Sequence, residues 1–94
     1  MDIEIVVALV KEGLGIRTTV RDSFITAIAA GVIKELEDEQ GLKLSKSNPH
    51  HLIFVVDYAT WRYQSRGSKE GTPRHLQFRL NNLKVRVGGN RAVE

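Results

Sequence analysis

A chain of 94 residues, 41% hydrophobic and 27% charged, with no cysteine and a formal net charge of +3, suffices for one domain with one core and is too apolar to stay disordered. The missing cysteine excludes disulfides and thiolate metal sites, and no apolar run approaches the ~20 residues that cross a bilayer. The opening MDIEIVVALVKEGLG lacks the positive region and cleavage-like small residues of a secretion signal, so a soluble, intracellular protein with no membrane partner is expected.

Asp2 is placed to cap a first helix in which Ile3, Val6, Val7, Val10 and Leu14 share a face, with Gly13 and Gly15 as stop signals. The same valines and isoleucines also suit a strand. Thr19, with Asp22 three residues on, makes a capping-box-like start to a second helix. There Val20, Phe24, Ile28, Val32 and Leu36 recur every four residues, and Ile25, Ala29 and Ile33 widen the stripe. The pattern predicts an amphipathic helix with this face buried, ended by Gly41 as a C′ glycine. Its last turns, KELEDEQ, set Glu35, Glu37, Asp38 and Glu39 against the helix dipole, at a cost of ~0.3–1 kcal/mol. A basic neighbour would relieve that cost; a solvated charged end is the simpler reading.

Asn48 and Pro49 give the next cap and first helical position. The run that follows, HHLIFVVDYATWRYQSR, is β-branched and aromatic enough for a strand at Leu52–Val56. Its length favours a helix buried on most sides, with Leu52, Val55, Val56, Ala59 and Tyr63 on one stripe and Phe54, Tyr58 and Trp61 on another. Gly67 and Gly71 break it. Thr72-Pro73 repeats the cap-then-proline signal. In residues 74–87, Leu76, Leu80, Leu83 and Val87 fit a helix, whereas Leu76, Phe78 and Leu80, then Asn81-Asn82, then Leu83, Val85 and Val87 fit a hairpin. Pro73 and the first leucines favour the helix, and the tail GGNRAVE reads as frayed or partner-dependent. The fold expected is therefore all-α: one compact domain over residues 1–94, of three or four helices with short loops, whose C-terminal segment could be strand-like.

Groups able to do chemistry do not converge in this sequence. His50 and His51 are adjacent and point about 100° apart on a helix, the HExxH spacing is absent, and both read as surface residues. RGSKEGT lacks the GxxxxGK[ST] order of a phosphate loop, and there is no GxSxG elbow. Asp57 interrupts an apolar run; it is expected to pair with Arg62, Arg66 or another basic residue, or to face water. No enzyme, metal or cofactor is expected. The basic loop is more informative, because Arg62, Arg66, Lys69 and Arg74 flank Trp61 and Tyr63, and cations beside aromatics suit single-stranded nucleic acid. If Trp61 and Tyr63 fill the core, the arginines instead solubilise or lie over their own helix.

Charge is also unevenly distributed. Residues 1–40 carry four basic side chains (Lys11, Arg17, Arg21, Lys34) and eight acidic ones, net −4, whereas residues 41–94 carry ten basic and three acidic, net +7. Such halves can neutralise each other internally, pair head to tail between copies, or offer the basic part to a polyanion.

The order GIRTTVRDSFITAIAAGVIKELEDEQGL, HHLIFVVDYATWRY, a polar loop and PRHLQFRLNNL resembles the small helical head–tail connector (adaptor) proteins of long-tailed phages and prophages. The likeness spans roughly Ile16 to Leu83. It implies a non-enzymatic subunit of a closed ring beneath the portal protein of a DNA-filled head, at the virion head–tail junction after assembly in the bacterial host cytoplasm. The partners it implies are other copies of the chain, the portal, a tail or stopper protein, and DNA that passes through without sequence-specific contact. In such a ring, Glu35, Glu37, Asp38 and Glu39 of one copy would face Arg62, Arg66, Lys69 and Arg74 of the next. The strongly basic second part and the strand-compatible LKVRVGGNRAVE depart from the family pattern. Other readings of the same residues are a nucleic-acid-binding module using the loop 62–74, and a small helical regulator that binds one protein partner.

Overall fold

The computed structural model describes the backbone of residues 1–45, 47–66 and 71–93, and their side chains as far as residue 84. Helix α1 spans Ile3–Leu14. The Asp2 carboxylate accepts the Glu4 N–H at 3.0 Å, as its position at the start of the apolar pattern requires. At the other end Gly15 adopts φ +74°, and the Ile16 N–H closes on the Lys11 carbonyl at 2.9 Å. A side chain at Gly15 would strain that left-handed turn.

Helix α2 spans Asp22–Lys34 and continues into a π-helical turn, Glu35–Glu39, in which the Gln40 N–H reaches the Glu35 carbonyl at 3.1 Å. Its start differs from the expectation. The Thr19 hydroxyl does not cap; its carbonyl instead accepts the Asp22 N–H at 3.1 Å, and the helix begins without a side-chain cap. The expected stripe also fails at its N-terminal end. Ile25, Ala29, Val32, Ile33 and Leu36 are buried, but Phe24 is 45% exposed and Val20, which precedes the helix, is 86% exposed. The reason is geometric: at 3.6 residues per turn, a four-residue step overshoots a full turn by about 40°. Residues spaced by four therefore spiral off the buried face, and Phe24 and Leu36 look in different directions. Gly41 ends the segment as expected, at φ +71°, with the Leu42 N–H on the Leu36 carbonyl at 3.0 Å.

Helix α3, Pro49–Gln64, is the central element and not a strand. Asn48 caps it by accepting the His50 N–H at 2.9 Å. Phe54, Val55, Tyr58, Ala59 and Tyr63 are buried, and α1, α2 and α4 all pack on α3. Such a helix must be apolar around most of its circumference, which explains its two stripes. Neighbouring residues show how α3 meets α2: Tyr63 reaches Arg21 and Arg62 reaches Glu35. These partners are 14 positions apart, or about 20 Å along a helix. Side chains at the end of α3 thus reach both ends of α2.

Helix α4 spans Arg74–Val93, so the last segment is neither a hairpin nor a strand, and its backbone stays helical through the tail. Phe78 shows why. A period of two would bury it with Leu76 and Leu80, yet it is 65% exposed while those leucines are 1% and 7% exposed. Among the described residues α4 packs on α3 only, through Leu76 and Leu80 with Leu83 partly buried against the core. No described helix is long and apolar enough to cross a membrane.

The connection between α2 and α3 is tied by the Ser45 N–H, which donates to Nδ1 of His51 at 3.0 Å. Burial, followed by the neighbouring His50, pushes the His51 pKa below its ordinary value of 6.5. The unfolded chain therefore binds this proton more readily than the folded one. The contribution of His51 to stability is complete above about pH 6.5 and is lost as the pH falls from there through the folded-state pKa. Thermal melts between about pH 7.5 and about pH 5.5 should show a decline that His51→Gln reduces; unchanged pH dependence in the variant would contradict this role.

Candidate functional site

Two charged assemblies lie at opposite ends of α2, both built from side chains near the end of α3. At the C-terminal end, the Glu35 carboxylate accepts the Tyr58 hydroxyl at 2.9 Å and Nη2 of Arg62 at 3.1 Å from each oxygen. The Arg62 guanidinium lies 5.5 Å from the Tyr58 ring centroid and 5.4 Å from that of Trp61. Tyr58 meets Phe54 and Trp61 edge-on, at 5.7 Å and 5.4 Å. Burial works against the charged form of Arg62, but the hydrogen bond and charge of Glu35, with help from Tyr58, outweigh it and raise its pKa above the ordinary value.

This arrangement revises the expected surface pairing. Glu35 and Arg62 are mutual partners within one chain, so their charges are already matched without a neighbouring copy. The three acidic residues that follow behave differently: Glu37, Asp38 and Glu39 are exposed. Asp38 lies 3.7 Å from Lys34 one turn earlier, with both side chains mostly in water, a pair worth ~0.3–0.5 kcal/mol. Glu37 and Glu39 have no ion-pair partner among the described residues.

At the other end of α2, Tyr63 holds two arginines. Arg21 donates to the Tyr63 hydroxyl at 2.8 Å. Arg66 donates to the Tyr63 backbone carbonyl and lies 4.3 Å from the Tyr63 ring centroid and 5.7 Å from that of Phe24. The Phe24 and Tyr63 rings are 5.8 Å apart. Tyr63 is buried and Phe24 half-exposed, so an apolar face flanked by two guanidinium groups meets solvent. Arg74 is exposed in the first turn of α4, away from any described ion pair, and Lys69 lies outside the described residues. From sequence Phe24 falls on the buried stripe and Arg21 has no site role. The 40° drift of a four-residue repeat, followed from Leu36 back to Phe24, is the signal that could have shown Phe24 to be exposed.

The remaining candidates are structural. Asp57 accepts from Arg79 at 2.6 Å, joining α3 to α4, and Arg79 lies 5.4 Å from the Phe54 ring centroid. This is the pairing with a basic residue expected of Asp57, with Arg79 as the partner. Lys11 sits 2.6 Å from Oδ1 of Asp22, neutralising a buried oxygen that has no hydrogen-bond donor of good geometry. Among the described residues no three His, Asp or Glu side chains are grouped to hold a metal. No protein-family model, curated protein or solved structure matches this chain.

Replacing Glu35 by Gln should destabilise the domain by about 1–2 kcal/mol, since it leaves the partly buried Arg62 charge without its counter-ion. Arg62 keeps 39% of its side chain in water, which limits the loss. Glu39→Gln should stay within about 0.5 kcal/mol. Denaturant titration of both variants checks this, and equal effects would contradict the assignment of Glu35 to the interior.

Proposed function

We propose that this chain is a non-enzymatic assembly subunit whose copies join head to tail in a closed ring, placed between the portal of a DNA-filled phage head and the tail. The observation that carries the reading is the charge on α2. An exposed acidic turn, Glu37–Glu39, lies at one end, and the Arg21–Phe24–Tyr63–Arg66 patch at the other. With about 13 residues between them the two are roughly 20 Å apart on a single rod. One copy cannot bring them together, but two copies in sequence can. Two different patches meeting in this way make a heterologous interface, which closes as a ring when its rotation permits.

The order of elements supports the same reading. An apolar first helix precedes an amphipathic one with an acidic, glycine-terminated end, and a hydrophobic helix with a terminal aromatic cluster precedes a polar loop and a last helix. That is the pattern in which the chain resembles head–tail connectors. Portal and tail or stopper proteins are the further partners, and DNA is a passenger without sequence-specific contacts.

Half-exposed Phe24 beside Arg21 and Arg66 also favours a second reading, single-stranded nucleic-acid binding by stacking and charge. Trp61 does not add to such a platform, because it packs against Tyr58 and Arg62.

Native mass measured over a concentration series, at physiological and at raised salt, separates the readings. The ring reading expects a discrete species larger than a tetramer that weakens only modestly with salt. Monomer at every concentration, with oligonucleotide binding that falls log-linearly as salt rises, would overturn it.

A further inference from the structure

We infer that the patch formed by Arg21, Phe24, Tyr63 and Arg66 is the socket for the acidic turn Glu37–Glu39 of the next copy. The inference rests on the ring reading and adds to it the two surfaces that meet and the residue that anchors them.

Both surfaces are ordered before they meet. Tyr63 fixes both guanidiniums, Arg21 through its hydroxyl and Arg66 through its carbonyl and ring face. Each arginine uses one nitrogen in these contacts and retains N–H donors for an incoming carboxylate. Little side-chain freedom then remains to be lost on binding. The opposite surface is equally constrained. The turn is pinned from below by Glu35 on Tyr58 and Arg62, by fully buried Leu36, and by the Leu42 N–H on the Leu36 carbonyl. Glu37, Asp38 and Glu39 project from it into solvent.

Charge alone would make a weak, salt-sensitive contact, because exposed ion pairs contribute only ~0–1 kcal/mol. Phe24 changes that balance. Its ring is 45% exposed, and Val20 just before the helix is 86% exposed. The Phe24 ring, packed on Tyr63 and Arg66, offers a centre that binding would desolvate, with the guanidiniums of Arg66 and Arg21 beside it, the arrangement that concentrates binding energy in interfaces. The acidic turn also gains, because acidic groups at a helix C-terminus oppose the dipole and cations supplied from outside relieve them.

The lack of cysteine in the chain makes a direct test available. Val20→Cys and Glu37→Cys are prepared separately in this 94-residue chain, mixed in equal amounts and oxidised. Within one chain these positions are about 25 Å apart, too far for a disulfide, whose Cα atoms must lie within ~7 Å. The expected result from equal amounts is a mixed V20C–E37C dimer far above the twofold excess over each homodimer that random pairing gives, and an extended ladder when both substitutions share one chain. In parallel, R66E should raise the concentration for half-assembly about tenfold. Adding E37K and E39K to that variant should recover most of the loss.

Rings that form without the mixed cross-link, or with R66E assembling like the parent, would overturn the socket and leave the ring reading standing. Absence of any oligomer would remove both. Protection of the V20C thiol by a single-stranded oligonucleotide, with no self-association, would assign the patch to nucleic acid and overturn the inference. A V20C homodimer in excess would mean a two-fold contact and overturn it as well.

Discussion

The carboxylate of Glu35, held by the Tyr58 hydroxyl and the Arg62 guanidinium, divides the charges of this chain into those satisfied inside and those left outside. It joins the turn after α2 to the last part of α3 across a partly buried contact. There an unpaired charge would be costly, and the two ions with their hydrogen bonds offset much of their own desolvation. Once Glu35 points inward to Arg62, Glu37, Asp38 and Glu39 occupy the outer side of the turn. Because Arg62 is committed to this contact, Arg66 and Arg21 become the exposed cations near the end of α3. Everything proposed about assembly depends on that division.

The second constraint is that side chains at the end of α3 reach both ends of α2. Consecutive residues of α3, Arg62 and Tyr63, reach opposite ends of α2, so one short stretch of chain organises both charged surfaces. The length of α2 keeps the basic patch and the acidic turn apart, so the domain carries complementary surfaces that it cannot join by itself. The self-association proposed through these unlike patches needs no large apolar face.

Much of this architecture was legible in the residues. Asp2, Asn48, Gly15 and Gly41 marked their caps because each position demands a particular hydrogen bond or a left-handed backbone. The length and apolar breadth of Pro49–Gln64 identified the central helix. The failures have equally specific causes. The Thr19–Asp22 spacing suggested a cap, but the hydroxyl is not used and the helix begins later. A repeat of four was read as a buried stripe although it drifts about 40° per step, and this concealed exposed Phe24. The hairpin alternative for residues 74–87 persisted because Leu76 and Leu80 satisfy both periods, until the exposure of Phe78, which fits only the period of two, decided it. The grouping of residues by charge could not show that Glu35 and Arg62, 27 positions apart, are partners in one chain, since tertiary packing alone determines which ions are internal.

The central claim is that copies of this chain meet through unlike surfaces and close on themselves. Electron microscopy of the assembled fraction tests it most directly. The account predicts closed rings of uniform diameter with a central opening. Two-fold dimers, open fibres or a field of monomers would contradict it.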